Sequence, residues 1–404
     1  MLQKRAPWKW ADKLRFGALF PSIFSCPFVK LSRSPLTVLC RQALNRHATG
    51  SALTGFWRFT DSSSRLAISK MFSHGSREVD LNILGIDIGY SNLKLAFGLK
   101  GGSPKTHLRP AGAAPADRFG SRFDGKAHDD FLHVLVGGHE FVAGVSPDRA
   151  EMWSRSLHAD YASSPSYEAL FHAGLLLSEM ERIDVLVTGL PVSQYLDDAR
   201  RNALAEQMQG THQVTLKRTV SVEKVKVIPQ PIGGLLDYIA QEDADIDDAQ
   251  VLVIDPGFFS VDWVVVANKD LHRQSSGTSL NASSVVLEEA SRLIAKDHGS
   301  AVDTETLENA IRSGKPAVLV HGQRVDIAPY IEQAARTVGH VVVESIQKSL
   351  RTESKGPDLV VLVGGGAMFF RDAVQEAFPR LKVATPKEPV FSNARGFWLM
   401  GAAL

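Results

Sequence analysis

Asp87-Ile88-Gly89-Tyr90-Ser91-Asn92-Leu93-Lys94 and Asp255-Pro256-Gly257-Phe258-Phe259-Ser260-Val261-Asp262 are two copies of one short pattern, 168 residues apart. Apolar runs of strand length flank both: Leu81–Ile86 and Leu93–Phe97 around the first, Val251–Ile254 and Trp263–Ala267 around the second. Each reads as a β-hairpin whose turn carries a carboxylate, a glycine and a hydroxyl. Glycine removes the Cβ that would block close approach, so such a turn can offer backbone N–H groups to an anionic oxygen. A single Asp-x-Gly is most often only a turn former. Two of them, equivalently placed in two halves of a chain, predict a duplicated fold that grips one ligand from both sides.

The 404 residues, 44% hydrophobic and 22% charged, give room for two cores. The net charge of +1 hides an asymmetry: residues 1–70 hold twelve Lys/Arg against Asp12 and Asp61, whereas residues 71–404 hold 33 basic and 42 acidic side chains. The acidic remainder offers no broad basic surface, so direct duplex binding by the core is not expected. Both cysteines, Cys26 and Cys40, lie in the basic head. A disulfide framework in the core is therefore excluded, and a reducing cytoplasm fits. No apolar run reaches 18 residues, so no membrane span is expected. The head, residues 1–78, reads as a disordered extension or a mis-called start before Met71, with a targeting segment or a basic interaction arm as alternatives.

Tyr167, Leu170, Phe171, Gly174 and Leu175 follow a helical spacing. Ile183–Thr188 reads as a strand, 193–208 as one helix, 213–216 and 220–228 as strands, and Ile232–Ile239 as a short helix. The acidic, base-free stretch Gln241–Asp248 reads as a surface linker, dividing domain I (79–248) from domain II (249–404). The second half then restarts the plot: hairpin, helices around Val286–Ile294 and Ile331–Ile346, a buried strand at Leu359–Val363 running into Gly364-Gly365-Gly366, a helix over 369–378 and a last helix over 393–403. The fold class is α/β, with two similar domains and a cleft between them.

A nucleoside triphosphate bound with Mg²⁺ needs backbone donors, a cation and carboxylates that order the hydrated metal. Gly89, Tyr90, Ser91 and Asn92 can supply donors on one side, and Gly257, Phe258 and Phe259 on the other. Lys94 lies on the strand face of Asn92, which points its ammonium back toward the turn. Asp87 and Asp255 would hold metal-bound waters. Ser260 can reach a phosphate, whereas Asp262 is expected either to brace the turn or the domain interface or to touch the ligand shell. Gly364–Gly366, between a buried strand and a helix, suits close approach of an adenosine. Gln230, in Ile228-Pro229-Gln230-Pro231, can orient a water for in-line attack or simply cap a helix. The thirteen histidines form no H-x-x-x-H pattern and the core has no cysteine, so a zinc site is not expected.

With these motifs in order, and with Ser392-Asn393-Ala394-Arg395-Gly396 after them, residues 80–404 resemble the actin/Hsp70/sugar-kinase ATPase superfamily. Within it the chain is similar to the plasmid-segregation actins (ParM/StbA-like), and especially to the PRTRC-system protein D branch. The resemblance implies two actin-like (ribonuclease H-like) domains, with Asp87, Gly89 and Lys94 on the phosphate-1 loop and Asp255, Gly257 and Ser260 on phosphate-2. It further implies Gly364–Gly366 at the adenosine, Gln230 beside the attacking water, and Asn393 and Gly396 opening a helix that packs back on domain I. ATP and Mg²⁺ would be the cofactors, and Asp87, Gln230 and Asp255 the catalytic residues. The partners implied are further copies of the chain in a filament and a DNA-bound adaptor, and the setting implied is a bacterial cytoplasm, with plasmid encoding as an option the resemblance leaves open. Phe258 departs from the pattern, standing where many relatives have a second glycine. A slow or non-hydrolysing nucleotide-binding scaffold, or a small-molecule kinase of the same superfamily, are the alternatives.

Overall fold

The computed structural model describes residues 80–120, 130–150 and 160–404, together with a pairing of Trp57–Arg58 with Arg65–Leu66. The other residues of the basic head, and the expectations placed on them, lie outside the described residues.

The chain builds one sheet plan twice. In domain I, β1 (Asn82–Ile88), β2 (Asn92–Leu99) and β3 (Lys105–Pro110) form an antiparallel meander. After helix α1 (Pro165–Leu177) come β4 (Val185–Leu190), parallel to β1, and β5 (Val225–Pro229), parallel to β4. Helix α2 (Gln230–Glu242) follows directly. Domain II repeats this as β6 (Val251–Pro256), β7 (Val261–Ala267) and β8 (Asp270–Ser279), again antiparallel. Helices α3 (Ser283–His298), α4 (Thr304–Arg312) and α5 (Ala328–Leu350) precede β9 (Leu359–Leu362). Helix α6 (Ala367–Ala377), strand β10 (Lys382–Ala384) and helix α7 (Ser392–Ala402) complete the chain. Both sheets have the order 3-2-1-4-5 in their own strands. Each of β1–β5 and α2 therefore has a counterpart in β6–β10 and α7.

Alternation along the central strands explains the layering. Leu84, Ile86 and Ile88 of β1 enter a core with α1, whereas Ile83 packs with Ala394 and Trp398 of α7. In β6, Leu252 and Ile254 enter the core of α3 and α5, while Val251 and Val253 face a shared core containing Ile232 and Leu235 of α2 and Phe397 and Met400 of α7. The two helices thus lie between the two sheets. They cross where Gly233 meets Gly396, and a Cβ on Gly396 would run into the Gly233 carbonyl.

Three expected elements divide. The strand over 183–188 is Arg182–Ile183, which joins a small separate sheet, and β4, because the chain changes sheet at Asp184. The helix over 193–208 is two, Val192–Tyr195 and Asp198–Met208, because Asp197 turns its carboxylate onto the amides of Ala199 (3.0 Å) and Arg200 (3.3 Å) and starts a new helix. The strand over 220–228 is Arg218–Val222 and β5, since the first pairs with Gly210–Thr215 and Arg182–Ile183 in a small separate sheet. Helix α2 begins at Gln230, earlier than expected, with Pro231 in its first turn where no intrahelical N–H bond is lost.

Beside the glycine crossing, Arg395 of α7 makes a bidentate pair with Asp237 of α2, at 2.8 Å from both Nε and Nη2, and its guanidinium also donates to Lys387 O at 2.5 Å. The two side chains are 15% and 4% exposed. Arg395→Ala leaves a buried carboxylate without its counter-ion and is expected to cost about 3–5 kcal/mol, measured by denaturant unfolding. Retention of the wild-type midpoint would show that the pair is dispensable.

Candidate functional site

The turns between β1 and β2 and between β6 and β7 face each other across a cavity of about 540 Å³. Their geometry is the same. Gly89 N–H donates to Asn92 O at 3.0 Å, and Gly257 N–H donates to Ser260 O at 2.7 Å. The glycine amides, read from sequence as donors to a ligand, are therefore spent on closing the turns. In the second turn the carbonyls of Gly257 and Phe258 accept from the first amides of α3, those of Ser283 (3.3 Å) and Ser284 (2.9 Å). Trans peptide planes turn the N–H groups of Phe258 and Phe259 to the opposite side.

Register places Asp87 opposite Lys94 and Asp255 opposite Asp262. One frame thus holds two different charge patterns. Lys94 Nζ lies 2.8 Å from Asp87 Oδ2, below Gly89, where the missing Cβ leaves it room. No cation faces Asp255 across its hairpin. Burial pushes its carboxyl from 3.8 up to about 7, the Asn393 hydrogen bond pulls it back, and Asp87 and Asp262 push it further up. Asp262 is bound three times: it accepts from Val192 N (2.7 Å) of domain I, Thr278 Oγ1 (2.6 Å) and Ser260 Oγ (2.6 Å). It braces the turn to the other domain. The Ser260 proton, expected to reach a phosphate, goes to Asp262 instead.

Each aspartate also receives an amide from the helix that follows the fifth strand of its sheet. Gln230 Nε2 donates to Asp87 Oδ1 at 3.3 Å, and Asn393 Nδ2 donates to Asp255 Oδ2 at 2.7 Å and reaches Asp87 Oδ2 at 3.5 Å. The two helices share one spacing, with the polar residue three before the crossing glycine (Gln230/Gly233 and Asn393/Gly396). Gly364, in the left-handed region at φ +76°, lets its loop press on Asp255, because a Cβ there would strike Asp255 Oδ1. Gly366 is packed as tightly, 2.6 Å from its built Cβ to Pro256 O, while Gly365 has only Val390 at 3.6 Å. The triple glycine thus supports the carboxylate as well as lining the cavity.

The tip of the first turn reaches across the cleft. Tyr90 stacks on Tyr161 (ring centroids 4.4 Å apart) and against Phe259 of the second turn (4.5 Å). Asn92 Nδ2 donates to Ser91 Oγ at 3.0 Å, and Ser91 Oγ donates to Glu308 of α4. Arg312, one helical turn on, binds Glu308 at 2.7 Å and Ser91 Oγ at 3.2 Å. Phe258, which departs from the expected glycine, packs against the domain II core. Glu308 and Arg312 are absent from the sequence reading. Asp303 as a capping residue, the spacing of Leu307, Ala310 and Ile311, and the Glu308–Arg312 i,i+4 pair are the signals that point to their helix.

Residues 85–233 match the family profile described as the N-terminal domain of actin-like proteins, and residues 253–376 match that of the archaeal actin homologue MreB-like C-terminal domain. Solved structures agree on the fold. The archaeal actin homologue Ta0583 in complex with ADP is 20% identical at a TM-score of 0.62, covering 79% of this chain and 98% of its own. A non-polymerisable quadruple mutant of pCBH ParM is 18% identical at 0.64 (80% and 100%). A ParM from a 15-stranded filament of Clostridium botulinum is 16% identical at 0.62 (81% and 100%). No curated protein sequence matches the chain. The class defined by fold and sequence is that of the two-domain actin-like proteins. Within that class, this chain has the ParM-like and archaeal-actin-like architecture.

Proposed function

We propose that the chain binds Mg-ATP in the interdomain cleft and assembles into ATP-dependent filaments that position plasmid DNA through an adaptor protein. The observation that carries the nucleotide reading is the pair of facing hairpins, which bring Asp87, Lys94, Gln230, Asp255 and Asn393 into one hydrogen-bonded layer at the floor of the cavity. Above that floor the turn residues Ser91 and Phe259, with Tyr90 and Phe258 beside them, would supply amides to the phosphates, and Gly365 would lie at the adenosine. Among the described residues no three His, Cys, Asp or Glu side chains are grouped to hold a metal. That suits Mg²⁺, which keeps its waters and is held by one or two carboxylates plus substrate phosphates. Two buried acids with a single lysine between them leave a site short of positive charge, which fits an incoming hydrated cation. Gln230, tied by its NH₂ to Asp87, keeps its carbonyl oxygen for an attacking water.

The filament reading draws on the likeness to ParM proteins, one of which was solved as a filament. The acidic core, with no helix among the described residues long and apolar enough to cross a membrane, favours contact with DNA through another protein. Sedimentation of the purified chain at tens of micromolar is expected to show polymer with Mg-ATP and little with Mg-ADP. A chain that binds ATP and stays monomeric would retain the nucleotide reading and lose the cytoskeletal one. The PRTRC protein D branch is the finer assignment we favour within this reading.

A further inference from the structure

We propose that His172 and His212 form a metal site of their own in domain I, a two-histidine chelate for a dication of the zinc, copper and nickel class. His172 belongs to α1 and His212 to the strand Gly210–Thr215 of the small sheet. No H-x-x-x-H spacing links them; the fold alone brings their ring centroids to 5.7 Å, at 58° to each other. Both line a cavity of about 240 Å³ that shares no lining residue with the interdomain cleft. The pair stands whether or not the cleft takes a nucleotide.

Hydrogen bonds decide which nitrogens are available. His172 Nδ1 lies 2.6 Å from the Leu135 carbonyl oxygen, and His212 Nε2 lies 3.0 Å from that of Met208. A carbonyl only accepts, so those nitrogens carry the proton, and each neutral ring keeps a lone pair on the other one. Those lone pairs, on His172 Nε2 and His212 Nδ1, meet no protein donor among the described residues, and neither nitrogen is sealed from solvent. His172 is only 5% exposed, so its access is by way of the cavity. An imidazole oriented through its second nitrogen by a backbone carbonyl is the arrangement that metal-ligating histidines use. The edge of Phe171, 5.0 Å from the His212 ring, steadies that ring as well. A tetrahedral dication about 2.0–2.1 Å from each nitrogen sets the ring centres roughly 5 Å apart, so only a small rotamer adjustment is needed. No third His, Cys, Asp or Glu is grouped with the pair, and water completes the coordination. Glu168, one helical turn before His172 in the cavity wall, can accept from such a water. The Gly137-Gly138 turn, with nothing within 4 Å of either built Cβ, leaves the entrance open. Two imidazole nitrogens suit zinc, copper or nickel, whereas Mg²⁺ takes oxygen ligands. An ion held here would tie α1 to the small sheet.

The test titrates zinc chloride alone, without nucleotide, into the full chain at pH 7.5. A Cys26→Ser, Cys40→Ser background removes both native thiols, which would bind zinc themselves. Calorimetry is expected to show one equivalent of Zn²⁺ bound by this parent. His172→Gln and His212→Gln should each weaken it by about tenfold or more, because the chelate needs both nitrogens. His340→Gln, at an exposed histidine of α5, should leave it unchanged. Zinc should also raise the melting temperature of the parent and of His340→Gln, but not of the two cavity variants. A parent that binds no zinc would overturn the site, and so would undiminished binding in both cavity variants. Anomalous diffraction from crystals of the parent grown with one equivalent of zinc tests the same claim without a cavity mutation. A peak between His172 and His212 is expected, and a peak only elsewhere would refute the assignment.

Discussion

Asp255→Asn is expected to raise the melting temperature of the ligand-free protein at pH 8, and to fall below wild type once Mg-ATP is present. The carboxyl is displaced upward, from 3.8 to about 7, chiefly by burial. Its unfolded form therefore releases the proton more readily, and the favourable contribution of the protonated form is lost as pH rises from about 4 to about 7. Above that window the buried charge costs about 2–4 kcal/mol, which asparagine avoids while still accepting from Asn393. Near pH 4 the two proteins should melt together. With ligand the order reverses, because anything bound to the folded state stabilises it, and the variant lacks the carboxylate that would hold the hydrated metal. ATP turnover should be abolished in the same variant. A ligand-free Asp255→Asn protein less stable than wild type at pH 8 would refute the electrostatic account, and retained turnover would refute the assignment of the site.

Gly396→Ala is expected to be the most damaging glycine-to-alanine change among the described residues. The new Cβ would meet the Gly233 carbonyl, a backbone atom that cannot rotate away. Helix α7 cannot retreat either, because Gly85 of β1 lies hard against the Ala394 carbonyl and the Trp398 amide on its other side. Separating α2 from α7 or α7 from β1 opens the shared core, at about 3 kcal/mol or more. It also shifts Asn393, three residues away, from both aspartates. Gly356→Ala, with nothing within 4 Å of its built Cβ, is the control and should be near neutral. Equal unfolding midpoints for the two variants would show that the crossing tolerates a side chain.

Much of this was legible in the sequence, and what was not has physical causes. The twin turns, the helices around Val286 and Ile331 and the buried β9 carry strong local patterns, and the actin-like two-domain fold follows from their order. The break at Leu196–Asp197 depends on a carboxylate choosing two amides, and the division at Glu223–Lys224 depends on which sheet each piece joins. The partners of Ser91 and Tyr90 lie far along the chain, so their reading as ligand donors could not include the contacts they make across the cleft. Lys94 could be placed beside its turn because strand alternation is local. For Asp262 the sequence reads as a brace or a ligand contact, and the Val192 amide of the other domain, one of its three partners, decides for the brace.

Gln230/Gly233 and Asn393/Gly396 relate the two halves as if each were the partner in a two-fold dimer. In a true dimer of identical halves, every residue at such an interface would occur twice. The residue opposite the aspartate would then be the same in both turns. Joining the halves in one chain lifts that requirement, and Lys94 stands on one side while Asp262 stands on the other. The site therefore has polarity inside a frame that has almost none. One turn brings its own counter-ion and the other sets two carboxyl groups opposite each other, so the two sides of the cleft would present different charge to whatever lay between them.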